Sequence, residues 1–282
     1  MKSFIRVWLG ISFIAMGIGL ALLFIAVASG AKWKDAAAFS NMHGSYEGVE
    51  NINFELNYGD IKIERGDTFS ISAENVLEDQ IEAYVKDGTW YIRENDSKSV
   101  HLFGWKFPIN NIAFWEKRFT PDITITIPEG FQAGKYDLHV LAGKVNVEEI
   151  NASEGNIKLD AGDLNIDKIN ITEKSSYAVG AGDMYLRNVL AKDVTMSCGM
   201  GRIETEGIIT GDNFIKTGMG NIELTLNAAE EDYSYEISCG IGAVVIDNHK
   251  YNSITNKVIK NEDAEHNINL DCGIGDISVD FK

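Results

Sequence analysis

The phrase Cys198-Gly-Met-Gly-Arg-Ile-Glu-Thr205 recurs through the second half of the chain, and that recurrence constrains the fold more than any other feature. It returns at Thr217-Gly-Met-Gly-Asn-Ile-Glu-Leu224, Cys239-Gly-Ile-Gly-Ala-Val-Val-Ile246 and Cys272-Gly-Ile-Gly-Asp-Ile-Ser-Val279, with looser copies upstream. With the second glycine as anchor, the copies fall at Gly143, Gly162, Gly182, Gly201, Gly220, Gly242 and Gly275, with an earlier one at Gly59. The steps from Gly143 onward are 19, 20, 19, 19, 22 and 33 residues. A near-constant period of this size marks a stacked repeat.

Four columns accompany the anchors. Val145, Leu164, Met184, Ile203, Ile222, Val244 and Ile277 stand two places after them, and Val147, Ile166, Leu186, Thr205, Leu224, Ile246 and Val279 four places after. Residues three and five places before are equally apolar, for example Val179 and Tyr177 before Gly182. Alternation on each side of the glycine predicts two short strands per copy, joined at a Gly corner. One copy cannot bury its apolar face alone, so neighbours must stack. The expected fold is all-β: a β-solenoid of two-strand rungs of about 19–20 residues, preceded by one N-terminal transmembrane helix. At about 4.8 Å per rung, seven rungs give a column on the order of 30 Å long. An antiparallel sandwich of the same strands is the rival; aligned columns favour the solenoid.

The chain has 282 residues, 45% of them apolar, enough for a substantial core. Its formal net charge is −17. Beyond residue 30 lie 23 of the 25 basic residues and all 42 acidic ones. Such a surface repels nucleic acid and anionic headgroups, so no nucleic-acid partner is expected. Cys198, Cys239 and Cys272 share one inward column and match neither a zinc site nor a Cys-x-x-Cys pair. They read as small buried hydrophobes. In sequential order Cys198 and Cys239 lie two rungs apart, about 10 Å, beyond disulfide reach. Cys239 and Cys272 on adjacent rungs leave a bridge open, though nothing indicates one.

In chain order, residues 1–6 form a short flank. Residues 7–29 carry no charge, and as a helix they would span about 35 Å, enough for a bilayer. A cleaved signal peptide, with Ala26-Val-Ala28 as the processing site, is the alternative; the length favours a retained anchor. Lys2 and Arg6 precede the run, while Lys32 and Lys34 follow it, so an N-in, C-out orientation rests on a small excess. The domain is thus expected outside the cytoplasm on a single-pass anchor in the cell membrane. Residues 30–48 read as a tether and 49–130 as an N-terminal β capping region, with strands at Phe69–Ala73, Ile81–Val85 and Trp90–Glu94 and a turn at Asp87-Gly88. Residues 131–282 hold the repeats, and 250–266 read as a polar loop bulging from the column.

Residues 97–120 break the pattern. Phe103, Trp105, Phe107, Phe114 and Trp115 stand there with Lys106, Lys117 and Arg118 and a single acid, Glu116. Such a loop either folds over the column end or touches a membrane surface or partner, and it is the candidate contact site.

Other chemistry is poorly represented. Asp60, Asp163, Asp183, Asn221 and Asp276 follow their anchors and would stack as a ladder of oxygens able to hold calcium. Arg202, Lys144 and Ala243 interrupt it, and Asp or Asn after Gly is ordinary turn chemistry. The five histidines show no metal spacing, and no nucleophile elbow or phosphate loop is present. No metal, cofactor or enzymatic activity is expected. A polysaccharide-active enzyme on the same scaffold and a cytoplasm-facing adaptor are the alternatives.

A single apolar run, a tether, alternating strands ending in Ile123-Thr-Ile-Thr-Ile-Pro128, and tandem Gly-x-Gly-[Asp/Asn] rungs resemble the bacterial putative-adhesin family of short β-strand repeats. The resemblance covers about residues 50–282. It implies a membrane-anchored, non-catalytic binding or scaffold protein at the cell envelope, in the company of envelope-stress signalling, with an envelope protein or surface polymer as partner. It supplies no functional residues.

Overall fold

The computed structural model describes residues 19, 39–77, 80–94, 99–102, 105–108, 120–247, 249–252, 257–259, 261 and 263–282. Two units divide the chain, Met1–Ser40 and Asn41–Lys282, and nearly all of the described β-structure lies in the second. Apart from Gly19, the apolar run 7–29 lies outside the described residues. Among those described, no helix is long and apolar enough to cross a membrane.

The N-terminal strands are β1 (Phe39–Tyr46), β2 (Asn51–Gly66), β3 (Phe69–Leu77), β4 (Ile81–Lys86), β5 (Thr89–Glu94), β6 (Ser99–Leu102), β7 (Trp105–Pro108) and β8 (Asp122–Pro128). The regular region holds β9 (Ala133–Val147), β10 (Ile150–Ile166), β11 (Ile169–Ala181), β12 (Met184–Lys192), β13 (Val194–Met200), β14 (Ile203–Thr210), β15 (Asp212–Met219) and β16 (Ile222–Leu226). The C-terminal strands are β17 (Tyr233–Ile241), β18 (Ala243–Ile246), β19 (His249–Asn252), β20 (Lys257–Ile259), β21 (His266–Ile274) and β22 (Ile277–Phe281).

Parallel pairing stacks these strands into a solenoid, and the apolar columns face inward. Ile61, Val145, Leu164, Met184, Ile203, Ile222, Ile277 and Val244 form one continuous buried ladder. Ile and Val fill such a pleated interior well because their branched side chains fit against the rung above and below.

The four rungs anchored at Gly143, Gly162, Gly182 and Gly201 also carry a third short strand, where two were expected. Ala152 pairs Ile171, Ile171 pairs Ala191 and Ala191 pairs Ile209, all buried. This column closes the third side of the core.

The rungs are not stacked in sequence order. β21 pairs β15 on one side and β17 on the other, while β22 lies between β16 and β18. The last copy in the sequence therefore inserts beneath the penultimate one. Cys198 and Cys239 consequently lie three rungs apart, through Thr217 and Cys272, where sequential order predicted two. The 22-residue step between Gly220 and Gly242 supplies the slack to skip a level, in a segment that includes the short turn Glu230–Asp232. The other end mirrors this arrangement: β2 sits between β9 and a later-arriving rung made by β5 and β8.

Both ends are closed by antiparallel strands. β3 pairs β8 and β4 pairs β5 at one end; β19 pairs β18 and β20 pairs β17 at the other. The insertion expected as a loop at 250–266 therefore supplies part of this cap. Residues 39–46, expected within an unstructured tether, form β1, which pairs with β3. A reversed strand cannot template another parallel rung, so the caps stop growth of the stack at its exposed edges. Aromatics plug the ends. Trp90 is fully buried against Tyr46, Phe54 and Phe69 at centroid distances of 5.1, 5.1 and 5.7 Å. At the far end Tyr233 packs on His266 and Phe281, and its hydroxyl donates to the Ile209 carbonyl at 2.8 Å.

Candidate functional site

The recurring Gly-x-Gly phrase forms one corner of the column, and each of its positions has a separate job. The anchors stack in spatial order Gly59, Gly143, Gly162, Gly182, Gly201, Gly220, Gly275, Gly242. A Cβ on Gly201 would lie 2.0 Å from the Gly182 carbonyl oxygen, and one on Gly242 would lie 1.6 Å from that of Gly275. Gly201 also has φ +136° and Gly242 φ +157°, a region closed to other residues. The seven anchors read from the sequence are thus steric necessities of the corner.

The residue after the anchor caps the neighbouring rung. Asp163 Oδ1 accepts from the Asp183 backbone N–H at 3.3 Å, and Asp183 Oδ1 from the Arg202 N–H at 2.8 Å. Asn221 Oδ1 accepts from the Asp276 N–H at 3.1 Å, and Asp276 Oδ1 from the Ala243 N–H at 2.7 Å. Four of the five residues in the candidate calcium ladder thereby spend one side-chain oxygen on a backbone donor. Asn221 does the same work as the aspartates, so charge is not required. Among the described residues, no group of three or more His, Cys, Asp or Glu is placed to hold a metal ion.

The three cysteines are buried and unbridged. The Cys198 thiol donates to the Gly182 carbonyl at 3.3 Å, that of Cys272 to Gly220 at 3.5 Å and that of Cys239 to Gly275 at 3.5 Å. Burial pushes the Cys198 thiol up to about 11 and the Cys272 thiol up to about 12, and raises that of Cys239. These thiols are the reverse of activated nucleophiles.

Among the ion pairs of the described residues, the most buried side chain is that of Arg65. Its Nε lies 3.1 Å from Glu149 and its Nη1 donates to the Pro128 carbonyl at 3.1 Å. Burial alone would raise the Glu149 carboxyl, but Lys168, at 2.9 Å, and Arg65 hold it below its ordinary value. This network ties β2 to the start of β10. On the surface, Lys158 lies 2.8 Å from Asp160 and its hydrogen bond depresses that carboxyl, with His139 at 3.4 Å.

Of the candidate contact residues, Phe103, Phe114 and Trp115 lie outside the described residues. Trp105 and Phe107 stand in β7, which pairs antiparallel with β6 as a separate two-stranded sheet: Trp105 opposite Leu102, Phe107 opposite Val100.

A different exposed feature emerges from the residue just before each anchor glycine. It is Ala142, Ala161 and Ala181 in the first regular rungs, then Met200, Met219, Ile274 and Ile241 in spatial order. The last four are 51, 49, 51 and 68% exposed. They form an apolar ridge along the corner, with a column of side-chain-free glycines on each side. Beside it runs a face bearing Glu204, Glu223, Asp276 and Asp280, with Asn221 and Ser278 between them in a shallow depression. Arg202 reaches Glu223 at 3.6 Å and Glu204 at 4.0 Å. The sequence signal was present: the residue before the anchor switches from Ala to Met and Ile after Gly182.

The sequence pattern of the Toastrack DUF4097 family matches residues 49–280. No curated protein matches the chain. Among solved structures, a putative cell adhesion protein from Clostridium sporogenes is 15% identical over 86% of this chain and 100% of its own, with a TM-score of 0.39. A putative adhesin from Bacteroides fragilis is 14% identical over 86% of this chain and 96% of its own, with a TM-score of 0.42. A putative adhesin from Parabacteroides distasonis is 14% identical over 87% and 98%, with a TM-score of 0.35.

Proposed function

The chain belongs to the Toastrack DUF4097 family, and on that premise we propose that it is a non-catalytic binding or scaffold module, adhesin-like in character. In this reading the apolar run 7–29 anchors it in the membrane and the column stands outside the cytoplasm, at the cell envelope. The observation that carries the reading is how the groups able to do chemistry are spent. The ladder carboxylates cap backbone N–H groups, the thiols are buried with raised pKa values, and Arg65 is locked into a structural ion pair. What remains is a stiff column whose outward side chains can vary without disturbing the stack, which suits binding along an extended surface. The aromatic segment containing Trp105 and Trp115 is a second contact candidate, on sequence grounds.

A C-terminal epitope tag tests location, with protease added first to intact cells and then to lysed ones. Loss of the tag on intact cells is expected. Protection until lysis would instead make the protein a cytoplasm-facing adaptor. Release of reducing ends from a panel of envelope polysaccharides would overturn the non-catalytic reading.

A further inference from the structure

The geometry points to the corner ridge of Met200, Met219, Ile274 and Ile241, together with the acidic face beside it, as the docking surface for a cationic amphipathic helix. This inference rests on the binding-module reading and gives that module a partner chemistry.

Three observations converge. First, the ridge is large, apolar and exposed in four consecutive rungs, whereas the equivalent position is alanine in the three rungs before them. Exposed apolar side chains scattered singly need no explanation, but a contiguous line of four does. Second, the neighbouring positions on either side are glycine: Gly199, Gly218, Gly273 and Gly240 on one flank, the anchor glycines on the other. Shallow troughs therefore border the ridge and leave room for a partner's side chains. Four rungs span about 14 Å. Apolar residues on one face of an α-helix recur every turn, about 5.4 Å, so a helix laid along the stack would place a side chain near each rung over roughly two and a half turns.

Third, charge selects the partner. Beyond the anchor glycines lie Glu204, Glu223, Asp276 and Asp280, with Glu206 in register beside them; Arg202 is shared between the first two and Lys282 pairs with Glu206, so five acids face two cations. The face keeps a net negative charge, within a chain of net charge −17. A helix with Leu on one side and Lys or Arg on the adjoining side satisfies both strips at once. A second copy of this acidic chain would bring like charge to the same face, which argues against self-association here.

The test titrates a fluorescein-labelled, 18-residue Leu/Lys amphipathic peptide against the full-length chain in zwitterionic nanodiscs, with empty discs as blank. Fluorescence anisotropy is the readout. We expect saturable binding above the blank that weakens at least tenfold in the double variant M219E/I274E and survives in M219L/I274L. Binding should also weaken several-fold between 50 and 500 mM salt, and a Leu/Glu peptide of the same pattern should bind at least tenfold more weakly. Unchanged far-ultraviolet circular dichroism and melting of M219E/I274E would establish that it still folds. Equal peptide binding by that folded variant, or equal affinity for the Leu/Glu peptide, overturns the proposal. So does a wild-type chain that ignores the peptide yet sediments as a dimer that M219E/I274E disrupts, since the ridge would then be a self-contact. None of these outcomes touches the tag-protection result, so failure of the ridge and failure of the envelope reading remain separable.

Discussion

Cys239 and Cys272 lie directly opposite each other on adjacent parallel strands, although 33 residues separate them and Cys272 comes from the last repeat of the chain. The pairing fixes the order of the C-terminal rungs. The strand carrying Cys272 is an interior layer, with Thr217 on its other side. The strand carrying Cys239 is the terminal layer, covered by β20.

That order predicts the effect of truncation. Ending the chain at residue 265 removes β21 and β22, the layer on which β17 and β18 rest. Residues 233–246 should then lose their hydrogen-exchange protection, while β9–β14 keep theirs, because a solenoid transmits contacts only to neighbours. In a sequential stack the same truncation would remove only the outermost rung and leave 233–246 protected. Exchange mass spectrometry separates the two.

The thiols predict an alkaline limit to stability. Folding raises Cys198 from 9.0 to about 11 and Cys272 from 9.0 to about 12, both chiefly through burial. The folded state binds these protons more tightly than the unfolded state does. The contribution is therefore fully present below about pH 9 and is lost as pH climbs through 9 to 12. Urea midpoints should be flat from pH 7 to 8.5 and fall above pH 9, and the fall should shrink in a Cys198→Val, Cys272→Val variant. Native protein at pH 8 should resist iodoacetamide at all three cysteines and react fully once unfolded.

The glycine corner predicts a sharp contrast between positions. Gly201→Ala would press a methyl carbon 2.0 Å from the Gly182 oxygen at φ +136°, with backbone on the other side of the clash. The neighbouring rung cannot yield without breaking register, so a loss of about 4 kcal/mol or more is expected, at the severe end for a single substitution. Gly48→Ala, at φ +71° with nothing within 4 Å, should cost only about 1–2 kcal/mol for the left-handed backbone. Chemical denaturation of the two variants measures the difference.

The sequence carried the repeat and the inward columns because both follow from local alternation, which Ile203, Ile222 and Ile277 express without exception. The third column was visible too, at the seventh and ninth residues after each anchor: Ile150 and Ala152, Ile169 and Ile171, Val189 and Ala191. It is weaker because alanine fills two of these six places and because it slips by one after Gly201, where Gly207 and Ile209 take those places. Rung order was not legible. Every copy offers a neighbour the same apolar face, so the pattern around Gly275 fits either side of Gly242. The choice is made by the caps: His249–Asn252 and Lys257–Ile259 pair with the terminal rung, and only the inserted layer remains for the last copy. The ridge was overlooked because exposure cannot be read from apolarity. Met219 and Ile274 look like core residues until the corner turns them outward.

The Asp and Asn after each anchor offer the most discriminating substitution. If Asp183 serves as a turn cap, what matters is an acceptor oxygen 2.8 Å from the Arg202 N–H, not its charge. Asp183→Asn should then stay within about 0.5 kcal/mol of the parent, as Asn221 already does this work for the rung above. Asp183→Ala should lose about 1–2 kcal/mol, because it strands a backbone donor at the corner. Millimolar calcium should shift the melting temperature of none of the three proteins. A calcium ladder would reverse the pattern: the parent would be stabilised by the ion, and Asn would be nearly as damaging as Ala, since removing one charge from a hard-cation site weakens it sharply. Thermal melts of parent, Asn and Ala forms, with calcium and with chelator, therefore decide whether the ladder binds the neighbouring backbone or a metal.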